Sequence, residues 1–336
     1  RIKYENMDSL KMSEILKLEK RRKNLVLKFA VYIAVSAILI YWFLRFCVYF
    51  YTISKEELDF TSDNNIMFYV VCIVAYIIVH GYFKFSVDTI SYDLRDFRSA
   101  YKDAVLKPFI KQLGFKYEKY GHVHALNLIY SELFSSGFDV QEGNDFIRGT
   151  ASNVRFSLSD IVLSDMKYNF LKDLFFGYNF SLRKKRFLYG LFFEANFNRA
   201  INSNTRIFSK KLINFQNFKL KKIKMDNTDF NKIFDVFTDD KINANYILTP
   251  KFMENLTKIA KFARHDFRMS FKNDRVFMFF NQNRDSFEPN MLKSVNNRKN
   301  INEIKREILA VIGIIKTLEL NKKIWIYGGE DELNRL

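Results

Sequence analysis

Four stretches of the sequence carry side chains able to do chemistry. Two histidines alternate in GHVHA, His122 and His124, and two carboxylates adjoin in VFTDDKINANYILTP, Asp239 and Asp240. Two runs are dense in cations: RKKR, which is Arg183, Lys184, Lys185 and Arg186, and KLKKIK, which holds Lys219, Lys221, Lys222 and Lys224. Imidazoles at i and i+2 share a metal only from one face of an extended chain, because on a helix they diverge by about 200°. No third ligand adjoins them, so the pair reads as structural or surface histidine. Adjacent acids can serve Mg²⁺, but they are also ordinary turn residues. The chain has no GxxxxGK[ST] phosphate cradle, no GxGxxG, no GxSxG and no HExxH. The expectation is no catalytic residue set, no metal and no cofactor.

The cation runs carry more weight. Residues 181–224 hold twelve Lys/Arg against one acid, Glu194, so they account for +11 of the net charge of +17. Three readings are open. One is a solvated basic face. A second is contact with anionic lipid headgroups, where each Lys or Arg near the surface contributes about 1 kcal/mol. A third is nucleic acid, with Phe187, Tyr189, Phe192 and Phe193 as stacking platforms. The aromatics alternate like a strand core, the chain has 37 Phe, and no nucleic-acid motif is present. Nucleic acid is therefore disfavoured. We assign the eight named cations as a binding surface for anionic headgroups or an acidic protein partner.

What must position that surface begins at the membrane. NLVLKFAVYIAVSAILIYWFL, residues 24–44, has one charge, and NNIMFYVVCIVAYIIVHGYF, residues 64–83, has no Lys, Arg, Asp or Glu. Twenty-one residues make a helix of about 31 Å, the thickness of a bilayer core. The first run exceeds a signal-peptide core and lacks its small-residue cleavage site. The expectation is a hairpin of two transmembrane helices, near residues 25–47 and 65–84. Residues 1–23 hold eight Lys/Arg against four acids, and the connecting TISKEELDFTSDN holds one Lys against four acids. By the positive-inside rule both termini are cytoplasmic. His80 reads as a polar residue at the inner end of the second span. Cys47 and Cys72 both lie in the apolar runs and provide no disulfide framework. Heavy use of Phe, Ile, Lys and Asn fits an AT-rich bacterial genome, which gives a bacterial inner membrane as the location.

Beyond the second span Val87, Ile90, Leu94, Phe97, Tyr101 and Ala104 follow a 3-4 spacing, and Pro108 weakens that helix. MDSLKMSEILKLEKRRK before the first span also reads as helix, with Leu10, Met12, Ile15 and Leu16 as its apolar positions. The two extensions emerge on one side and can pack as a stalk. Residues 87–104 are alternatively a contact between protomers. Domain organisation follows: residues 1–113 form the amino-terminal helix, spans and stalk, and 114–336 form a cytoplasmic domain.

That domain reads as α+β, mixed and mainly antiparallel. HVHALNLIYSELF is a short helix. GFDVQEGNDFIRGTASNVRFSLSDIVLSDM is a meander, with turns at Gly143-Asn144 and at 149–153. KRFLYGLFFEANF is a strand in which Gly190 marks a bulge or close packing. TPKFMENLTKIAKFARH is a helix capped by Thr249, with Pro250 first. FRMSFKNDRVFMFFN is a hairpin turning at Asn273-Asp274. NINEIKREILAVIGIIKTLELN is a helix, and KIWIY is a strand.

Four segments carry a family resemblance: FIRGTASNVRFSLSDI, FLYGLFFEANFNR, FDVFTDDKINANYILTPKFMENL and SFEPNMLKS, in that order. Together they make residues 115–326 resemble a bacterial family catalogued as domain of unknown function thirty-one thirty-seven. The most specific piece is residues 234–250. The two amino-terminal spans also look like the family's usual layout. The resemblance implies one membrane-anchored cytoplasmic module and brings no activity, cofactor or catalytic residue. The expected function is a membrane-anchored binding or scaffold module. The competing expectation is a tethered enzyme on a phosphorylated or lipid-derived substrate, using Asp239, Asp240 or the His122/His124 pair.

Overall fold

The computed structural model describes residues 12–56, 63–134, 138–168, 182–196, 203–210, 220–262, 266–282, 286–295, 297–318 and 320. KIWIY and Lys219 lie outside them. The chain divides into two compact units, one of residues 1–106 with 289–301, the other of 107–288 with 302–336.

In the first unit, α1 spans Met12–Glu56 and α2 spans Asp63–Tyr101. No Gly or Pro interrupts α1, and Gly81 is the one such residue in α2. Both helices are long and apolar enough to cross a membrane. Large apolar side chains face outward along them: Leu27 is 66% exposed, Trp42 65% and Ile78 63%. The helices pack on each other through an edge-on Tyr32–Tyr82 contact, and beyond it Lys28 pairs with Asp93 at 2.6 Å and Arg21 with Asp96 at 2.5 Å. These ion pairs join α1 and α2 near the ends of their apolar runs, where the sequence reading set a stalk. Its inner face is shifted, however: Ile15 and Leu18 are buried, whereas Leu16 is exposed.

One contact fixes the return segment of this unit. Arg22 grips Glu19 with two hydrogen bonds, of 3.0 and 2.7 Å, and donates a third of 2.7 Å to the Met291 carbonyl. The Val295 N–H donates to Glu19 Oε2 at 2.9 Å. The Glu19 carboxyl is lowered to about 2, chiefly by its Arg22 hydrogen bonds; burial opposes them, and the Val295 amide adds to the lowering.

After Tyr101 the helix widens into a π turn over Lys102–Leu106, and α3 follows over Lys107–Gln112. Pro108 explains the widening. Its missing N–H and its ring forbid the regular bond to residue 104, and a one-residue looser turn accommodates both.

Among the described residues, the second unit is built on a nine-stranded antiparallel sheet. Its strands are β1 Lys116–Glu118, β2 Val140–Ala151, β3 Val154–Tyr168, β4 Leu182–Asn196, β5 Thr205–Ser209, β6 Lys221–Ile223, β7 Phe234–Thr238, β8 Phe267–Lys272 and β9 Arg275–Asn281. Their spatial order is β1-β2-β3-β4-β9-β8-β5-β7-β6. The helices are α4 Ala125–Ser131, α5 Thr228–Ile233, α6 Lys241–Ile247, α7 Pro250–Phe262 and α8 Arg298–Thr317. The α+β expectation holds at this level.

Alternation along the strands sends side chains to two faces. On the α4 face Ile161, Leu163, Phe192, Phe277 and Phe279 pack with Val123, Leu128 and Leu133. The opposite face carries Phe156, Phe193, Met278 and Phe271, and there α7 seats Phe252 against Phe271, ring centroids 5.8 Å apart. The buried central strands explain the Phe-rich composition.

The meander differs from expectation. The segment at 143–147 is a bulge inside β2, where the register slips between Asn144 and Ile147 and Asp145 takes φ +55°. Only Ser152 and Asn153, at φ +50° and +64°, form the turn. Gly149 stays in the strand because the Phe115 ring lies on it, 2.4 Å from where a Cβ would stand. Gly190 meets the close-packing expectation: a Cβ there would lie 2.0 Å from the Phe280 carbonyl of β9.

Candidate functional site

The two histidines do not form a pair of ligands. His124 caps α4, its Nδ1 accepting from the Leu126 N–H at 3.2 Å, while His122 Nδ1 lies 3.2 Å from Gln141 Nε2. Asp239 and Asp240 also divide. Asp239 accepts from the Asn204 N–H at 2.9 Å, and Asp240 caps α6 by accepting from Ile242 and Asn243. The Asn243 amide in particular holds the Asp240 carboxyl below its ordinary range. Thr249 Oγ1 receives the Phe252 N–H at 3.2 Å as the cap of α7. Among the described residues, no three His, Cys, Asp or Glu gather as a metal-holding group.

The cations are also divided. Arg183, Lys184, Lys185 and Arg186 lie on β4, opposite residues 164–167 of β3. β9 pairs with β4 only from Gly190 onward, so the RKKR run sits on a part of β4 that β9 does not flank. Lys221 and Lys222 lie on β6, the last of the described strands in the sheet order, and Lys224 follows it; all three are exposed. Lys222 pairs with Asp235 at 2.8 Å. Four strands stand between β4 and β6, about 24 Å at the usual strand spacing. The strand order therefore keeps the two runs apart.

A different set of cations converges. On the α4 face, helical cover stops partway along β3, β4 and β9, and the exposed remainder opens into a cleft of about 680 Å³. Four cations line it, Lys116, Arg148, Arg155 and Arg275, with two carboxylates, Glu194 and Asp274. Ser157, Thr150 and Asn196 add neutral polar groups, and Phe156 an aromatic one. Register explains the convergence: Lys116 stands opposite Arg148, Arg148 opposite Ser157, and Ser157 opposite Glu194. Arg155 is two residues along β3 from Ser157, hence diagonal to Arg148, about 7–8 Å away.

Two of the cations are already paired. Arg148 bonds Glu118 at 2.8 Å, and Arg275 bonds Glu194 at 2.9 Å. Asn127 of α4 donates to the other Glu194 oxygen at 2.9 Å, so this carboxylate ties α4 to the sheet. Burial raises the Glu194 carboxyl above its ordinary range, and Arg275 and Asn127 pull back against it. Among the described residues, neither Lys116 nor Arg155 has an ion pair or a side-chain hydrogen bond. Nothing in the local sequence marked these positions, which come from four strands spread over 160 residues.

A second polar group lies further along the same face and is spent on structure. Glu132, at the left-handed end of α4, pairs with Arg206 and with Lys272. Buried Arg268 bonds Asp266 through Nε and Nη2, donates to the Leu133 carbonyl at 3.0 Å, and stacks between Phe134 and Phe279. This network pins residues 130–134 over the sheet.

No curated protein matches the chain. One solved structure, that of the mycobacterial trehalose monomycolate transport factor A, is similar over 63% of this chain and 93% of its own, at 11% identity and a TM-score of 0.34. That likeness is too distant to assign a fold. Three of the four quoted segments are better supported: residues 186–320 match the family model described as "Protein of unknown function (DUF3137)", which bears out the resemblance over that part of the chain, while FIRGTASNVRFSLSDI, residues 146–161, lies outside the match.

Proposed function

We propose that the protein is a membrane-anchored binding module. On this reading α1 and α2 cross a bacterial inner membrane as a hairpin, and both termini lie in the cytoplasm. The α+β unit then offers its cations to anionic lipid headgroups or to an acidic protein partner.

One observation carries this reading: the apolar side chains of both helices are turned outward, as with Leu27, Trp42, Ile77 and Ile78. In water each would forgo about 1.5–3 kcal/mol of burial, whereas in hydrocarbon the cost vanishes. A core helix of a soluble fold would instead be covered. Helices of 45 and 39 residues also exceed the roughly 20 that span a bilayer. The excess falls on charged extensions joined by Arg21–Asp96 and Lys28–Asp93. The excess of Lys and Arg in residues 1–23 over the acidic connection supports the orientation.

The test uses the full chain with Cys47 and Cys72 replaced by Ala. Single cysteines go in at Ser62, in the connection, and at exposed Asp226, in the α+β unit. A membrane-impermeant maleimide is expected to label Ser62→Cys from outside intact spheroplasts, and Asp226→Cys only after lysis. Extraction of the protein by alkaline carbonate, or the same labelling of both sites, would refute the reading.

A further inference from the structure

We propose that the cleft floored by Lys116, Arg148, Arg155 and Arg275 is a binding site for a phosphate monoester. The inference depends on the unit being a binding module but not on how the chain meets the membrane, so the two can fail separately.

The argument starts from what a sheet face does when its cover ends. The same strands that present Ile161, Phe192 and Phe277 under α4 switch to Arg155, Glu194 and Arg275 beyond it. This open depression gathers four cations against two acids. Pairing consumes Arg148 and Arg275 in Glu118 and Glu194, leaving Lys116 and Arg155 to a ligand. These two cations outweigh the remaining carboxylate, Asp274, and so favour an anion such as a phosphate monoester, which is largely a dianion near neutral pH.

The donor set favours phosphoryl over carboxylate chemistry. Arg155 offers a planar fork, Lys116 a compact point charge, and Ser157, Thr150 and Asn196 neutral groups around them. Phosphate has enough acceptor oxygens to use several donors at once. The space, about 680 Å³, falls within the size of small-ligand sites and exceeds what bare phosphate fills. The ligand therefore carries an organic part. A headgroup such as phosphatidic acid and a free phosphate monoester share this chemistry.

The test uses full-length protein in nanodiscs. Glycerol 3-phosphate is titrated into nanodiscs of neutral lipid, with the rate of Lys116 acylation as readout. In parallel, Lys116 acylation is compared between neutral nanodiscs and nanodiscs containing phosphatidic acid. Arg155→Gln and Lys116→Gln serve as variants, the former read by acylation and the latter by calorimetry. Both replace exposed residues and are expected to leave folding intact. Saturable protection by glycerol 3-phosphate, weakened about tenfold in Arg155→Gln, with the calorimetric affinity weakened about tenfold in Lys116→Gln, as for one charge-assisted hydrogen bond each, supports a free ligand. Protection confined to phosphatidic acid, and lost in Arg155→Gln, supports a headgroup. No protection by either probe, protection reproduced by chloride at equal ionic strength, or unchanged binding by both variants overturns the proposal.

Discussion

Replacing Arg268 by Met gives the most stringent test of how the α4 face is held together. Arg268 is 2% exposed and Asp266 9%, so the substitution strands a buried carboxylate and also removes the donor to the Leu133 carbonyl. Breaking a buried pair from one side costs about 3–5 kcal/mol. An unsatisfied carbonyl by itself costs about 1–3 kcal/mol, and the guanidinium sits 5.6 Å from each of two ring centres, a contact of about 1 kcal/mol. These contributions overlap, and Met restores part of the packing, so we expect about 4 kcal/mol, roughly a thousandfold in the folding equilibrium. The assay is pulse proteolysis of the full chain across a urea series in detergent, for Arg268→Met, Asp266→Asn and the double variant. The double variant no longer buries a lone charge and is expected to lie at least about 2 kcal/mol above the sum of the singles. A cost under about 1 kcal/mol for Arg268→Met, or strictly additive variants, would show that Arg268 does not hold the 130–134 segment.

Other expectations can be checked alongside. The folded-state value of Glu19, about 2, lies below the ordinary 4.5; its stabilising effect is therefore complete above about pH 4.5 and lost as pH falls toward 2. Hydrogen exchange at Val295, corrected for intrinsic rate, should accelerate only in that window, and Glu19→Gln should show the acceleration already at pH 7. Gly190→Ala forces a Cβ to within 2.0 Å of the Phe280 carbonyl and should cost about 3 kcal/mol by the same proteolysis. Gly313→Ala, with nothing within 4 Å, should instead stabilise α8 by about 0.5–1 kcal/mol. If the basic edge meets headgroups, acylation of Lys221, Lys222 and Lys224 should be slower in anionic than in neutral nanodiscs, and the difference should vanish at 1 M salt, where the Debye length is about 3 Å. Equal acylation in both lipids would count against that contact.

Elements governed by local chemistry were legible from the sequence. The apolar runs of α1 and α2, the Thr249-Pro250 start of α7 and the Asn273-Asp274 turn each follow from side chains within a few positions. Gly143-Asn144 misled because a bulge and a turn call for the same residues: both need a left-handed backbone, here supplied by Asp145. Strand β5 was invisible for the opposite reason. All five of its residues are buried, so it lacks the alternation that marks a half-exposed strand. The cleft was illegible because Lys116, Arg148, Arg155 and Arg275 each sit in an ordinary local context and meet only through strand register. Charge density along the chain pointed elsewhere, to runs on β4 and β6 that the strand order separates.

The ends of the sheet have a consequence for crowding. Among the described residues its outermost strands, β1 and β6, are three residues each, and they carry Lys116, Lys221 and Lys222. A neighbour seeking to extend the ladder finds one or two hydrogen bonds on offer and like charge beside them. Proteins confined to a surface meet far more often than the same number free in solution, and long bare strand edges there would invite fibrous stacking. A sheet whose described margins are such stubs resists edge-to-edge polymerisation at high local concentration.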